Sequence, residues 1–372
     1  METKESSPEE IEEIDESSSE KTKPYDPTKI NITVKPLIID SLIKRMKSDP
    51  MRIDLNTEFQ RMGDLWDEKT QSRLIESLLV RIPLPAFYFD GTDDDNWKVV
   101  DGLQRLSTLK KFIIDKKLKL LNLEYLEQHE GLGFDELPSF LQSRIEETHI
   151  TAYIINPGTP REVKYDIFKR INTGGLTLRP QEIRHAINQG IPADFVKELA
   201  DLSEFVRATD NSIRKKKKRM EDRDFVTRFI GFYDGYDNYK PDLDSYLNNA
   251  MSHLNELTPK DREKIKNDFI KAMNAASDIF DNDAFRRRSK KDDNRKLLNK
   301  ALFDTWSVNL AKLSENELKR LISKKEELKD KFIHLMNENG DFMKSIAYST
   351  GDKKAVETRF SEINKLLREL LG

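Results

Sequence analysis

The sequence predicts an α+β protein, a small mixed α/β domain followed by an all-helical domain. Three observations carry that expectation. Short apolar runs bounded by turn residues occur only up to Ile155. From about residue 195 onward every apolar pattern has the helical period. The composition, 35% charged residues with only 14 glycines in 372, favours a largely helical chain.

A chain of this length suggests two domains at roughly 150 residues each, with an extension. Residues 1–28 are read as a disordered acidic tail, 29–195 as the mixed domain and 196–372 as the helical domain. The tail holds nine acids against Lys4 within its first twenty residues, a local charge of −8, so the rest of the chain carries +5. It has too little apolar content to offset the entropy of ordering. It reads as a solvated solubility tail, with mimicry of DNA as the sharper alternative.

In chain order, Ile38, Leu42, Ile43 and Met46 share one helical face, and Arg52-Ile53-Asp54-Leu55 has strand character. Asp67 can cap a helix carrying Leu74, Ile75, Leu78 and Leu79. Pro85–Phe89 and Trp97–Val100 form two strands joined by the polar loop from Gly91 to Asn96. Asp93-Asp94-Asp95 in that loop reads as hairpin, not as a metal site. Leu103, Leu106, Leu109 and Ile113 then switch to helical spacing. Ile150–Ile155 is a further strand, and Val163, Ile167 and Ile171 mark a helix ending at Gly174-Gly175. The next helix begins near Thr177 and carries Ile183 and Ile187. In the second half, Phe225, Phe229, Phe232 and Tyr233 at helical spacing read as core, since base stacking needs exposed rings.

The stretch richest in chemistry runs from Val99 to Leu109. It places Asp101-Gly102 between a strand and a helix, where unpaired first-turn amides and the helix dipole favour an anion. Gly102 lets a ligand approach the backbone, Arg105 can fork onto a phosphate, and Ser107 and Thr108 can add hydroxyl donors. A capping box between Asp101 and Gln104 explains the same residues without a ligand. A second segment, Phe168 to Gly175, ends a helix in a double glycine with Arg170 and Asn172 beside it. These groups suit an anion, and equally a helix C-cap with surface residues around it. A third segment, Asn56 to Arg61 with Trp66-Asp67 behind, offers Gln60 and Arg61.

Together these segments resemble a known family. Residues from about 30 to 220 are similar to the N-terminal domain of GmrSD-type restriction endonucleases, within the ParB/sulfiredoxin-like superfamily. The matching stretches are Phe59-Gln60-Arg61 with Trp66, Arg73–Leu79 with Ile82-Pro83-Leu84-Pro85, Asp101–Leu109, and Ile167–Gly175, all in the family's order. The resemblance implies a fold whose Asp-Gly-Gln-Gln-Arg motif binds, and often hydrolyses, nucleoside triphosphates in anti-phage defence. Residue by residue, the motif falls on Asp101, Gly102, Gln104 and Arg105, with Leu103 standing where the family has its first Gln. On this reading Asp101, Gln104 and Arg105 are catalytic and Mg²⁺ accompanies the nucleotide at Asp101. Gly102, Ser107, Thr108, Gln60, Arg61, Arg170, Asn172, Gly174 and Gly175 contact the nucleotide.

Other chemistry is excluded or weakened. Without cysteine there are no thiol nucleophiles, disulfides or cysteine zinc sites. His129, His149, His185, His253 and His334 lack metal-ligand spacing, so the His-Asn-His nuclease that such proteins usually append is not expected. The most apolar run, Leu78 to Phe89, is broken by Arg81, Pro83 and Pro85, and the expectation is a soluble cytoplasmic protein with no membrane contact. Six cations in a row, Arg214, Lys215, Lys216, Lys217, Lys218 and Arg219, suit DNA phosphates or form a solvated loop; Arg286-Arg287-Arg288 with Lys290-Lys291 is a second cluster. The expected function is a nucleoside-triphosphate-binding and hydrolysing protein, with DNA and an effector nuclease in trans as further partners. The alternatives are a metal-dependent nickase using the same pocket and a non-enzymatic nucleotide sensor.

Overall fold

The computed structural model describes residues 11–17, 26–55, 66–171, 179–210, 212–213 and 219–372. They divide into two compact units, one of Tyr25–Leu178, the other of Arg179–Gly372 together with the N-terminal segment that precedes Tyr25. The division falls at 178/179, not at the 195/196 boundary expected from the sequence. The reason lies in the helix Pro180–Ile187, whose buried Gln181, Glu182 and Arg184 bond into the helical unit.

In the first unit five strands form a mixed sheet among the described residues. They are β1 (Ile32–Ile38), β2 (Ile53–Asp54), β3 (Phe87–Asp90), β4 (Trp97–Asp101) and β5 (His149–Ile155), in the order β1-β5-β3-β4-β2. β3 and β4 make the expected hairpin, and Asp93 accepts a bond from the amide of Asp95 at 3.0 Å inside its loop. β5 pairs antiparallel with β1 and parallel with β3. β1 was not anticipated, because Lys35 and Pro36 interrupt its apolar alternation. Its edge position tolerates both. Ile38 closes β1, and the buried face of α1 (Ile39–Lys47) starts one residue later with Ile39, Leu42, Ile43 and Met46.

α2 (Glu68–Leu79) begins as expected, with the Asp67 carboxylate accepting from the Thr70 amide at 2.8 Å. The core gathers Phe87, Phe89 and Trp97 from one sheet face against Ile39, Leu42, Ile75, Leu78, Leu106, Leu109 and Phe112. α3 (Leu103–Leu109) and a π-helical turn (Lys110–Ile114) run on from β4. α4 (Ser139–Glu146) leads into β5, and α5 (Arg161–Ile171) follows it.

The second unit is helical, as the period indicated. Its helices are α6 (Pro180–Ile187), α7 (Ile191–Ala200), α8 (Ser203–Ala208), α9 (Glu221–Tyr233), α10 (Leu243–His253), α11 (Pro259–Phe280), α12 (Lys300–Ala311), α13 (Glu315–Ser323), α14 (Lys325–Glu338), α15 (Gly340–Ser345) and α16 (Lys353–Leu371). α9 and α12 lie at the centre, where Phe225 meets Phe303 edge-on at 4.9 Å. Phe225, Phe229 and Phe232 are fully buried, which settles them as core. α12 is buried from Ala301 to Ala311, polar residues included. No helix of the described residues is long and apolar enough to cross a membrane.

The acidic tail departs from expectation over residues 11–17. Ile11 is buried and bridges Leu298, Glu12 donates its amide to the Leu298 carbonyl at 2.7 Å, and Thr350 donates to the Asp15 carbonyl at 2.8 Å. Two apolar residues, Ile11 and Ile14, pack on the helical core. Composition over the whole tail hides that short amphipathic stretch.

Candidate functional site

β4 ends on Asp101 at the carboxyl edge of a sheet, and the chain turns at Gly102 into α3. Gly102 has φ +100, and a Cβ there would lie 2.4 Å from the Phe87 ring. The glycine is required by that turn and by the ring packed against it. The face a ligand was expected to approach is therefore filled by Phe87. Gly102 is also the N-cap of α3 and carries no side-chain cap, so the capping box from Asp101 is not formed.

Asp101 instead holds Arg105 at 2.8 Å. Arg105 is 8% exposed, donates to the carbonyls of Pro85 and Ala86, and stacks over Phe87 with its guanidinium carbon 4.4 Å from the ring centre. One arginine thus ties the start of β3 to the end of β4. The open phosphate fork expected of Arg105 is corrected to an internal clasp, because the carboxylate and both carbonyls lie within its reach.

The electrostatics of this clasp are unusual. Burial pushes the Asp101 carboxyl up from its ordinary range, against the pull of Arg105 and the Gly102 amide. Burial likewise pushes the Arg105 guanidinium down, against Asp101. Both partners move toward their neutral forms. Desolvation exceeds what the pair returns.

Thr108 is buried and spends its hydroxyl on the Gln104 carbonyl at 2.8 Å, so it is not the free donor expected. The Ser107 hydroxyl is buried without a hydrogen-bond partner. Leu103 packs against the core of the unit, which accounts for an apolar residue at that motif position. Arg170, on α5, is an exposed residue 3.8 Å from Asp166. Gln60, Arg61, Asn172, Thr177, Gly174 and Gly175 lie outside the described residues, so no closed pocket can be drawn around the clasp.

Two residues that the sequence reading missed stand beside it. Tyr88 pairs with Asp101 across β3–β4 and with Tyr153 across β3–β5, so the three form one row over three strands. The two rings stack at 4.7 Å and 12° and are half-buried. Burial, Tyr153 and Asp101 together raise the Tyr88 phenol. Alternation along β3 places Tyr88 on the face opposite Phe87 and Phe89, while a register shift between Tyr88 and Phe89 interrupts the pairing with β4. The strand pattern Phe-Tyr-Phe-Asp held the signal, because Tyr88 had to face away from its buried neighbours. On the next residue pair, Lys164 of α5 reaches Asp90 at 2.7 Å and Thr92 at 2.6 Å.

Buried Glu76 on α2 is a different case. Burial pushes its carboxyl up, but the amides of Glu124, Tyr125 and Leu126 and the Arg73 charge outweigh that and leave it below its ordinary range. It holds a loop together through bonds of 2.7–3.0 Å.

The basic runs resolve unevenly. Residues 214–218 lie outside the described residues, and Arg219 is bound to buried Glu182 at 2.9 Å, not presented to a polyanion. Arg286 is 3% exposed and bonded to the Lys296 carbonyl and to Ser212. Arg287 pairs with Glu12 and Arg288 with Asp283. Those three arginines are committed within the unit, while Lys290 and Lys291 are exposed, Lys291 beside Asp330. No group of three or more metal-ligating side chains exists among the described residues, and buried His185 lies against Arg223.

Comparison with known proteins adds one match by sequence and one by structure. Residues 39–188 match the family described as the GmrSD restriction endonuclease, N-terminal domain. Among solved structures, a Pnob8-like ParB-N domain aligns over 92% of this chain and 99% of its own at 13% identity, with a TM-score of 0.24. No curated protein matches the sequence.

Proposed function

We propose that residues 39–188, a GmrSD restriction endonuclease N-terminal domain, bind a nucleoside triphosphate at the Asp101 end of β4 and hydrolyse it slowly within a restriction, anti-phage system. The observation that carries this reading is the clasp itself. Asp101 and Arg105 form an ion pair isolated among the described residues, 2.8 Å apart at the turn into α3, and this pair is what a triphosphate would have to open. A triphosphate would take the guanidinium of Arg105, and the freed Asp101 would face the accompanying cation. The stacked Tyr88–Tyr153 pair on the same row offers a platform for a base, worth ~1–3 kcal/mol per stacked base.

A single carboxylate cannot build an all-protein cage for Mg²⁺. It is enough where triphosphate oxygens and water supply the remaining ligands, the usual arrangement for this ion. Asp101 would hold Mg²⁺ there, and the ion would neutralise charge developing on the phosphates. Gln104, the second residue of α3, would orient the attacking water, and Arg105 would stabilise the transferred charge. Ser107 offers the uncommitted hydroxyl.

A second reading, binding without turnover, is favoured by Leu103, whose packing into the core leaves the motif one amide side chain short. The nickase reading has no comparable support among the described residues, because Arg219 is committed to Glu182.

Thermal-shift and calorimetric titration with the four ribonucleoside triphosphates, with and without Mg²⁺, tests the proposal. The wild type should bind one of them in a Mg²⁺-dependent manner, Asp101→Asn should lose that dependence, and Tyr153→Leu should weaken binding about tenfold. Equal binding by all three proteins, or none by the wild type, overturns it. Phosphate release separates hydrolase from sensor.

A further inference from the structure

The N-terminal segment 11–17 sits in the helical unit in the manner of a bound peptide. Its main chain is held at both ends, by Leu298 at Glu12 and by Thr350 at Asp15. Its side chains enter specific partners. Glu12 bonds Arg287 at 2.6 Å and the Asn299 amide group at 2.9 Å, and Glu16 bonds Arg228 at 2.8 Å. Ile11, just before the first anchor, and Ile14, between the two, cover the apolar core. Gly351 is bare where the segment crosses it, and a Cβ there would lie 2.4 Å from the Glu16 carbonyl oxygen.

Charge counting at the Glu16 end is informative. Arg228 and Arg359 are both buried and share one buried carboxylate, Asp304, at 2.7 and 3.2 Å. The second negative charge comes from Glu16. Asp224 also acts on Arg228 but pairs directly with Arg184 and Lys300, so without Glu16 the Asp304 carboxylate alone would be paired with both Arg228 and Arg359. At the other end, Glu12, Arg287, Arg288, Lys296, Met336 and Met343 border a cavity of about 360 Å³.

We propose that the helical unit carries a receptor groove for an extended acidic peptide, filled in cis by residues 11–17, and that an acidic segment of the form Ile-Glu-x-Ile-Asp-Glu on another chain binds there when the cis segment leaves. The class of ligand follows from the seat. Two apolar contacts set the register, two carboxylates four residues apart meet Arg287 and Arg228, and a glycine admits the backbone. Simple attraction of an acidic tail to a basic surface would need neither Gly351 nor the isoleucines.

The test uses the full chain with a protease site inserted between positions 18 and 25. After folding and cleavage, a fluorescent peptide of residues 9–17 is added and its anisotropy followed. The expected result is saturable binding of this peptide with release of the cleaved segment. A Glu16→Gln peptide should bind about tenfold more weakly or worse, and a scrambled peptide of equal charge should not compete. Equal binding by the scrambled peptide overturns the proposal in favour of diffuse electrostatics. A cleaved segment that neither leaves nor exchanges, or a cleaved protein that unfolds, overturns it in favour of an ordinary structural strand. In the uncut chain, Glu16→Gln, which weakens only the cis segment, should speed labelling by the free wild-type peptide several-fold, and no change there also counts against the groove. The outcome is independent of nucleotide binding at Asp101.

Discussion

Each unit buries an arginine against an aspartate, and the two pairs behave oppositely. In the α/β unit Arg105 meets Asp101 alone, helped by two carbonyls and a ring, and burial drags both groups toward neutrality. In the helical unit Arg228 is buried more completely, yet its guanidinium is held above its ordinary value. There desolvation is overcome by Asp304 through two bonds and by Glu16. Arg359, which reaches Asp304 through one bond only and faces Arg228, is pushed down again, chiefly by burial. Depth does not decide the balance. The number of carboxylate oxygens per guanidinium does.

The comparison can be broken most severely at Asp304. Asp304→Asn should cost about 3–5 kcal/mol in urea unfolding, since Arg228 would keep only the partly exposed Glu16 and Arg359 would lose the carboxylate it is paired with. Arg105→Ala should cost less, about 3 kcal/mol, through two carbonyls left unmet and Asp101 left buried alone. A loss equal to that of Asp304→Asn would erase the distinction drawn here. Glu76→Gln sharpens it with a charge held by amides alone, and should cost about 2 kcal/mol at neutral pH. Because the folded Glu76 carboxyl titrates below the unfolded one, the unfolded chain binds more protons in acid. Its contribution is therefore complete above about pH 5 and fades as pH falls through the folded value, a slope that Glu76→Gln removes. Glu16→Gln should cost only about 1 kcal/mol, because that carboxylate is 36% exposed and screened. Arg170→Ala should leave the melting temperature unchanged, its side chain being 80% exposed.

Much of the architecture was readable from the chain. The switch of apolar period at Leu103 marked the strand-to-helix passage, Asp67 marked a helix start, and the phenylalanines of α9 marked a core. β1 escaped because an edge strand need not alternate cleanly, and the docking of Ile11 and Ile14 escaped because two isoleucines are lost in the average of an acidic tail. At the candidate site the sequence singled out Asp101, Gly102, Gln104 and Arg105, but it did not reveal the bonds of Arg105. Arg105 is one turn from Asp101 in sequence, so their pairing was open to inference. The carbonyls of Pro85 and Ala86 and the ring of Phe87 come from another strand.

By itself the sequence determined the local alphabet of this protein. Period, caps and turn glycines act within a few residues, so they fix which segments are strand or helix and place an Asp-Gly turn before a helix. The tertiary structure alone decided who satisfies whom. It gave Arg105 to the protein's own carbonyls, put Tyr88 and Tyr153 beside Asp101, and made Glu16 the counter-charge of an arginine 212 residues away. Buried charges must find partners wherever the fold brings them, and no local pattern records that distance.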